Sequence, residues 1–84
     1  MRAWKARVEI EPWAEGGYKA SVPSLQGCWV VAETSEEAIR DIHEVIEMSI
    51  ASRIKRGESI PPDIQEIQGA DASRIHVELA VVVP

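Results

Sequence analysis

The sequence predicts an α+β domain of two layers, with elements in the order βββαβ. Three observations carry that expectation: three short segments of period-2 alternation separated by Gly/Pro turns, one capped stripe of apolar residues at three- and four-residue steps, and a last alternating segment near the C-terminus. From Trp4 to Glu11 the side chains alternate strictly, with Trp4, Ala6, Val8 and Ile10 on one face and Lys5, Arg7, Glu9 and Glu11 on the other. That is the pattern of a half-buried strand. Pro12 stops its ladder, and Ala14-Glu15-Gly16-Gly17 tolerates the positive φ of a reversal, so Tyr18 to Val22 returns as the second strand. Pro23 and the turn Ser24-Leu25-Gln26-Gly27 lead into a third strand, Cys28 to Glu33, completing an antiparallel meander.

Thr34 meets the requirements of a helix N-cap, with Glu37 placed to close a capping box. From Ser35 to about Arg56, Ala38, Ile39, Ile42, Val45, Ile46, Ile50 and Ile54 form one stripe, which suits a long helix lying on a sheet. Glu36, Glu37 and Asp41 near the start and Arg53, Lys55 and Arg56 near the end complement the helix dipole, and Gly57 stands where a left-handed cap residue is wanted. Gly57 to Gly69, with Pro61-Pro62, reads as a loop carrying one helical turn between Asp63 and Gln68. Arg74 to Val83 alternates again and supplies the fourth strand. In matched parallel register beside the first strand, it would set Arg74 and His76 next to Lys5 and Arg7, and Glu78 near Glu9. That conflict of like charges costs a few tenths of a kcal/mol and leaves the register open.

The chain has 84 residues, which suits a single domain over 1–84 without linker or repeat. A chain this short buries about 60–65 % of its unfolded surface, so self-association is a natural supplement. Fourteen acidic against nine basic residues give a net charge of −5, which opposes the sequence-independent affinity that a basic protein has for nucleic acid. One cysteine builds no disulfide framework, which fits a reducing cytoplasm. Met1 to Pro12 contains no seven-residue apolar stretch, so neither a secretory segment nor a membrane span is expected there.

Chemistry-bearing residues are few. His43 and His76 lack converging partners, and solvated or structural roles explain them better. Glu9 and Glu11 point the same way on the first strand, and with Glu78 they could hold Mg²⁺ as in a nuclease. A solvated strand face is the simpler account. Cys28 becomes a nucleophile only where a base and a positive setting lower its pKa, and Gly27, Trp29 and Val30 offer neither; a small buried hydrophobe is expected. No phosphate loop, dinucleotide fingerprint or zinc spacing is present, so no enzyme activity, metal or cofactor is expected. Excess apolar surface is what asks for an explanation. The third strand is apolar on both faces, Cys28, Val30 and Ala32 on one and Trp29 and Val31 on the other, while a two-layer domain covers only one. Val82 near the chain end poses the same question. Trp13, Trp29, Val31 and Met48, the last opposite the centre of the helix stripe, are therefore the candidate partner-binding residues.

Three stretches in fixed order, Tyr18-Lys19-Ala20-Ser21-Val22-Pro23-Ser24-Leu25-Gln26-Gly27-Cys28, Glu33-Thr34-Ser35-Glu36-Glu37-Ala38 and Gly57-Glu58-Ser59-Ile60-Pro61, resemble the HicB antitoxin family over about residues 8–62. The positions that carry the likeness are Pro23, Gly27, Cys28, Thr34, Glu37 and Gly57. Ser24 and Glu33 stand where the family pattern has aspartate, and Ala32 where it has glycine, changes that leave the fold expectation intact. The resemblance implies a domain similar to part of a ribonuclease H fold without its catalytic carboxylates. It also implies a protein that binds a small RNA-cleaving HicA-like toxin and occludes its active site; the apolar strand surfaces add the expectation of a homodimer or higher homo-oligomer. Many family members carry a DNA-binding segment after this domain. Here the residues after Pro62 read as a loop and one strand, so DNA binding is not expected of them. The alternatives from other classes are an orphan small-ligand or scaffold module of the same fold and, further off, the Mg²⁺-dependent nuclease.

Overall fold

A computed structural model describes residues 3–67 and 75–81 of the chain. The elements run β1 (Ala3–Pro12), β2 (Tyr18–Ser21), β3 (Trp29–Ala32), α1 (Ser35–Lys55), β4 (Gln65–Ile67) and β5 (Ile75–Val81). One helix lies on one face of a five-stranded sheet, so the expected α+β class and the βββαβ order are both observed, with one short strand added.

β1 organises the sheet. Its residues Trp4 to Ile10 pair in parallel with Ile75 to Val81 of β5. Its C-terminal part pairs antiparallel with β2, from Glu9↔Ser21 to Pro12↔Tyr18, and its first three residues pair antiparallel with β4, from Ala3↔Ile67 to Lys5↔Gln65. Trp4 thus faces both β4 and β5, and Ile10 both β2 and β5. It follows that β5 takes one edge of β1 while β2 and β4 share the other end to end. β3 continues outward from β2, with Lys19↔Val31 and Ser21↔Trp29 in register.

Two expectations are corrected here. The segment read as a loop with a helical turn forms β4 instead: the early part of β1 offers backbone groups on the edge that β2 does not reach, and pairing them outweighs the weak local preference of Gln65–Ile67. β5 also lies two residues along from the matched register. Lys5 faces His76, Arg7 faces Glu78 and Glu9 faces Ala80, so the like-charge conflict does not arise. Lys5 Nζ lies 3.3 Å from Glu78 Oε2. Arg74 and Val82 lie outside the described residues.

The core forms between α1 and the inner face of the sheet. Trp4, Ala6, Val8 and Ile10 of β1 and Ala20 of β2 meet Ala38, Ile42, Ile46 and Ile50 of α1. Val8, Ile42 and Ile46 are fully buried, and each such side chain contributes about 1.5–3 kcal/mol through burial. The loop between β2 and β3 turns inward: Val22, Leu25 and Cys28 are all buried, and its backbone closes on itself, Val22 N donating to Cys28 O at 3.0 Å and Cys28 N to Leu25 O at 3.1 Å. Ile54, expected in the helix stripe, is exposed, because the last turn of α1 runs beyond the core cluster. No helix among the described residues is long and apolar enough to cross a membrane.

Both helix ends are capped, although of the expected capping box only the bond onto Thr34 is formed among the described residues. Glu37 N donates to Thr34 Oγ1 at 3.1 Å, and Thr34 has extended backbone angles. At the other end Gly57 N donates to Ile54 O and Glu58 N to Arg53 O, at 3.1 and 2.8 Å, the paired bonds of a Schellman cap, with Gly57 at φ +73°. A Cβ on Gly57 would meet nothing within 4 Å, so substitution there tests the backbone term alone. Gly57→Val is expected to cost about 1 kcal/mol, a fall of about 4–8 °C in Tm by circular dichroism. An unchanged midpoint would show that the left-handed cap carries no stability.

Candidate functional site

The face of the sheet that α1 does not cover is built by the outward residues of every main strand. β1 contributes Lys5, Arg7, Glu9 and Glu11, β2 contributes Lys19 and Ser21, β3 contributes Trp29 and Val31, and β5 contributes Glu78. The strand alternation that buries Trp4, Ala6, Val8 and Ile10 puts all of these on the opposite side.

The face divides into two halves. Around Arg7 it is charged: Lys5 and Glu78 pair, both more than two-fifths exposed, a contact worth at most about 1 kcal/mol. Beside them a polar cleft of about 460 Å³ is lined by Arg7, Glu9, Ser24, Asp63 and Gln65 among others. Ser24 Oγ donates to Asp63 Oδ2 at 3.2 Å and ties the two loops that flank the middle of β1. Toward the β1–β2 turn the face is aromatic. Trp13 is 36 % exposed, Val31 40 % and Trp29 53 %. The Lys19 ammonium lies 5.1 Å from the centre of the Trp13 ring and 5.3 Å from that of Trp29, joining the two indoles into one ridge by cation–π contact.

The structure therefore brings together three of the four residues singled out from sequence, Trp13, Trp29 and Val31. Met48 is separate from them. It is 71 % exposed on the solvent side of α1, in the other layer, opposite the stripe as its spacing indicated. Lys19 was missed by the sequence reading, although an antiparallel β2–β3 pair with Lys19 opposite Val31 sets it diagonal to Trp29, within reach of a long side chain.

The remaining chemistry-bearing residues show no converging arrangement. Cys28 is buried, and burial pushes its thiol pKa up, the setting of an inert core residue rather than a nucleophile. Glu9 and Glu11 do share a face, but among the described residues no three His, Cys, Asp or Glu side chains come together to hold a metal ion. Pro23 and Gly27 lie exposed in the β2–β3 loop, Gly27 at φ +79°. Gly57 likewise has positive φ, and Thr34 and Glu37 share the N-cap bond of α1.

The family model described as HicB_like antitoxin of bacterial toxin-antitoxin system matches residues 7–83, from the middle of β1 past the end of β5. The chain belongs to this antitoxin family. Its relatives include a UPF0150 protein of Synechocystis sp., 41 % identical over 56 residues that make up 67 % of this chain and 71 % of that one. Another is a UPF0150 protein of Thermoplasma acidophilum, 40 % identical over 62 residues, 74 % of this chain and 90 % of its own. A second Synechocystis UPF0150 protein is 32 % identical over 54 residues, 64 % of this chain and 74 % of that one. No solved structure matches the chain significantly. Membership in this antitoxin family supports a role within a toxin-antitoxin system and suggests a toxin as partner and a non-enzymatic role.

Proposed function

We propose that this HicB-like antitoxin neutralises a small, basic, RNA-cleaving toxin of the HicA type by laying the helix-free face of its sheet over the toxin's active site. The observation that carries the reading is the uncovered ridge of Trp13, Trp29 and Val31 on that face. Large aromatic side chains left outside a core are typical centres of protein interfaces, because they bury much apolar area at little entropic cost. The chain's net charge of −5 complements a partner basic enough to handle RNA, speeding encounter and making it sensitive to salt. No catalytic group of the antitoxin is needed. Inhibition follows from occupying the surface that RNA would otherwise use.

The test is capture of partners by the tagged chain from its native cells at low and high salt, followed by assay of RNA cleavage by the captured protein with and without added antitoxin. A small basic protein held in stoichiometric amount, whose cleavage of RNA stops when the antitoxin is restored, is the expected result. Self-association alone at both salt concentrations would reject the reading and favour a homo-oligomer joined through the same apolar face.

A further inference from the structure

Lys19 is placed where a cross-strand ion pair is the ordinary outcome. It lies directly opposite Glu11 in the β1–β2 ladder and diagonal to Glu9, two residue pairs along. Its ammonium instead sits against the rings of Trp13 and Trp29, at 5.1 and 5.3 Å. Glu9 and Glu11 are half-buried, and neither forms an ion pair among the described residues. The face thus presents two indole rings already arranged around a cation, with two unneutralised carboxylates alongside, in a chain of net charge −5.

We propose that the Trp13–Trp29 pair is a receptor for an arginine side chain of the partner, and that Lys19 is the intramolecular occupant that keeps it formed in the free protein. An incoming guanidinium stacks on the indole faces better than an ammonium does, because it is planar and less strongly hydrated. Lys19, once displaced, has Glu11 directly across the ladder to receive it, so the exchange trades one cation–π contact for another and adds an ion pair. Two aromatic rings held apart by their own lysine do not collapse on each other, which lowers the ordering cost of binding. The inference rests on the toxin-binding reading for the identity of the partner, but the receptor itself is testable without it.

The experiment is an NMR titration of the full chain with Nα-acetyl-arginine methylamide, and in parallel with the uncharged citrulline analogue. The arginine derivative is expected to shift the indole N–H signals of Trp13 and Trp29 and to release the Lys19 ε-protons from the upfield position that the rings impose. The citrulline analogue should do neither. Lys19→Met, which keeps the stem and removes the competing charge, is expected to tighten arginine binding about threefold to tenfold. Glu11→Gln, which removes the site that receives the displaced lysine, should weaken it. Equal responses to arginine and citrulline, or unchanged arginine affinity in Lys19→Met, would overturn the proposal. If the titration fails in that way while capture of a basic toxin still depends on Trp29, the receptor is wrong and the antitoxin face stands. If no toxin is captured but arginine displaces Lys19, the receptor stands and the toxin reading falls.

Discussion

Gly17→Ala is expected to destabilise the protein by about 2–5 kcal/mol, lowering Tm by 10 °C or more, whereas Gly16→Ala beside it costs about 1 kcal/mol. Both glycines have positive φ, +103° for Gly16 and +82° for Gly17, so both substitutions carry a backbone penalty. Only Gly17 adds a steric one. A Cβ built there would overlap Ala32 O and lie 3.2 Å from Ala32 C, while a Cβ on Gly16 meets nothing within 4 Å. The obstacle at Gly17 is backbone, which cannot swing aside as a side chain does. Relief requires the β1–β2 turn to move away from the end of β3, where Tyr18 pairs with Ala32. It also strains the bond from Trp13 N to Gly17 O at 2.9 Å, and with it the base of the aromatic ridge. Thermal melts of the two variants side by side separate the terms. Equal losses at the two positions would show that the close approach of Gly17 to β3 carries no stability.

That close approach was not legible in the sequence, where Gly16 and Gly17 read alike as turn residues, and the distinction shows what local patterns convey and what they omit. Features set by neighbours along the chain were readable: the alternation in β1, the Thr34 cap, the Gly57 cap and the exposure of Met48 opposite the helix stripe all follow from periods of 2 or 3.6 and from the chemistry of helix ends. Features set by neighbours across the sheet were not. β4 exists because of the edge that β1 offers, and Gln65 and Glu66 are exposed residues with no apolar alternation of their own. The two-residue displacement of β5 relative to the matched register turns a cluster of like charges into facing Arg7 and Glu78, a choice that only the pairing reveals. Ile54 has the right period for the core but lies past its end. Of the candidate face, the excess apolar residues could be recognised from the two-sided third strand, while Lys19, which joins Trp13 to Trp29, depends on a register between strands.

Trp29→Lys is expected to weaken toxin binding about 100-fold while leaving the helical circular dichroism signal and the melting midpoint nearly unchanged. Trp29 is the most exposed of the three ridge residues and projects from the uncovered side of β3, so its replacement removes nothing from the core cluster. Loss of a central tryptophan from an interface costs about 2 kcal/mol or more, which is about 30-fold, and a new positive charge facing a basic partner adds a repulsive share. Trp29→Glu isolates that share: it loses the same apolar area but presents the favourable sign, and should bind more tightly than Trp29→Lys. Met48→Lys is the control in the other layer. It changes a residue 71 % exposed on the far side of α1 and should leave affinity where it was. Isothermal titration with the captured toxin gives all four affinities on one scale. Should Met48→Lys weaken binding and Trp29→Lys not, the toxin would dock on the helix, and the uncovered sheet face would instead be the surface through which copies of this chain associate.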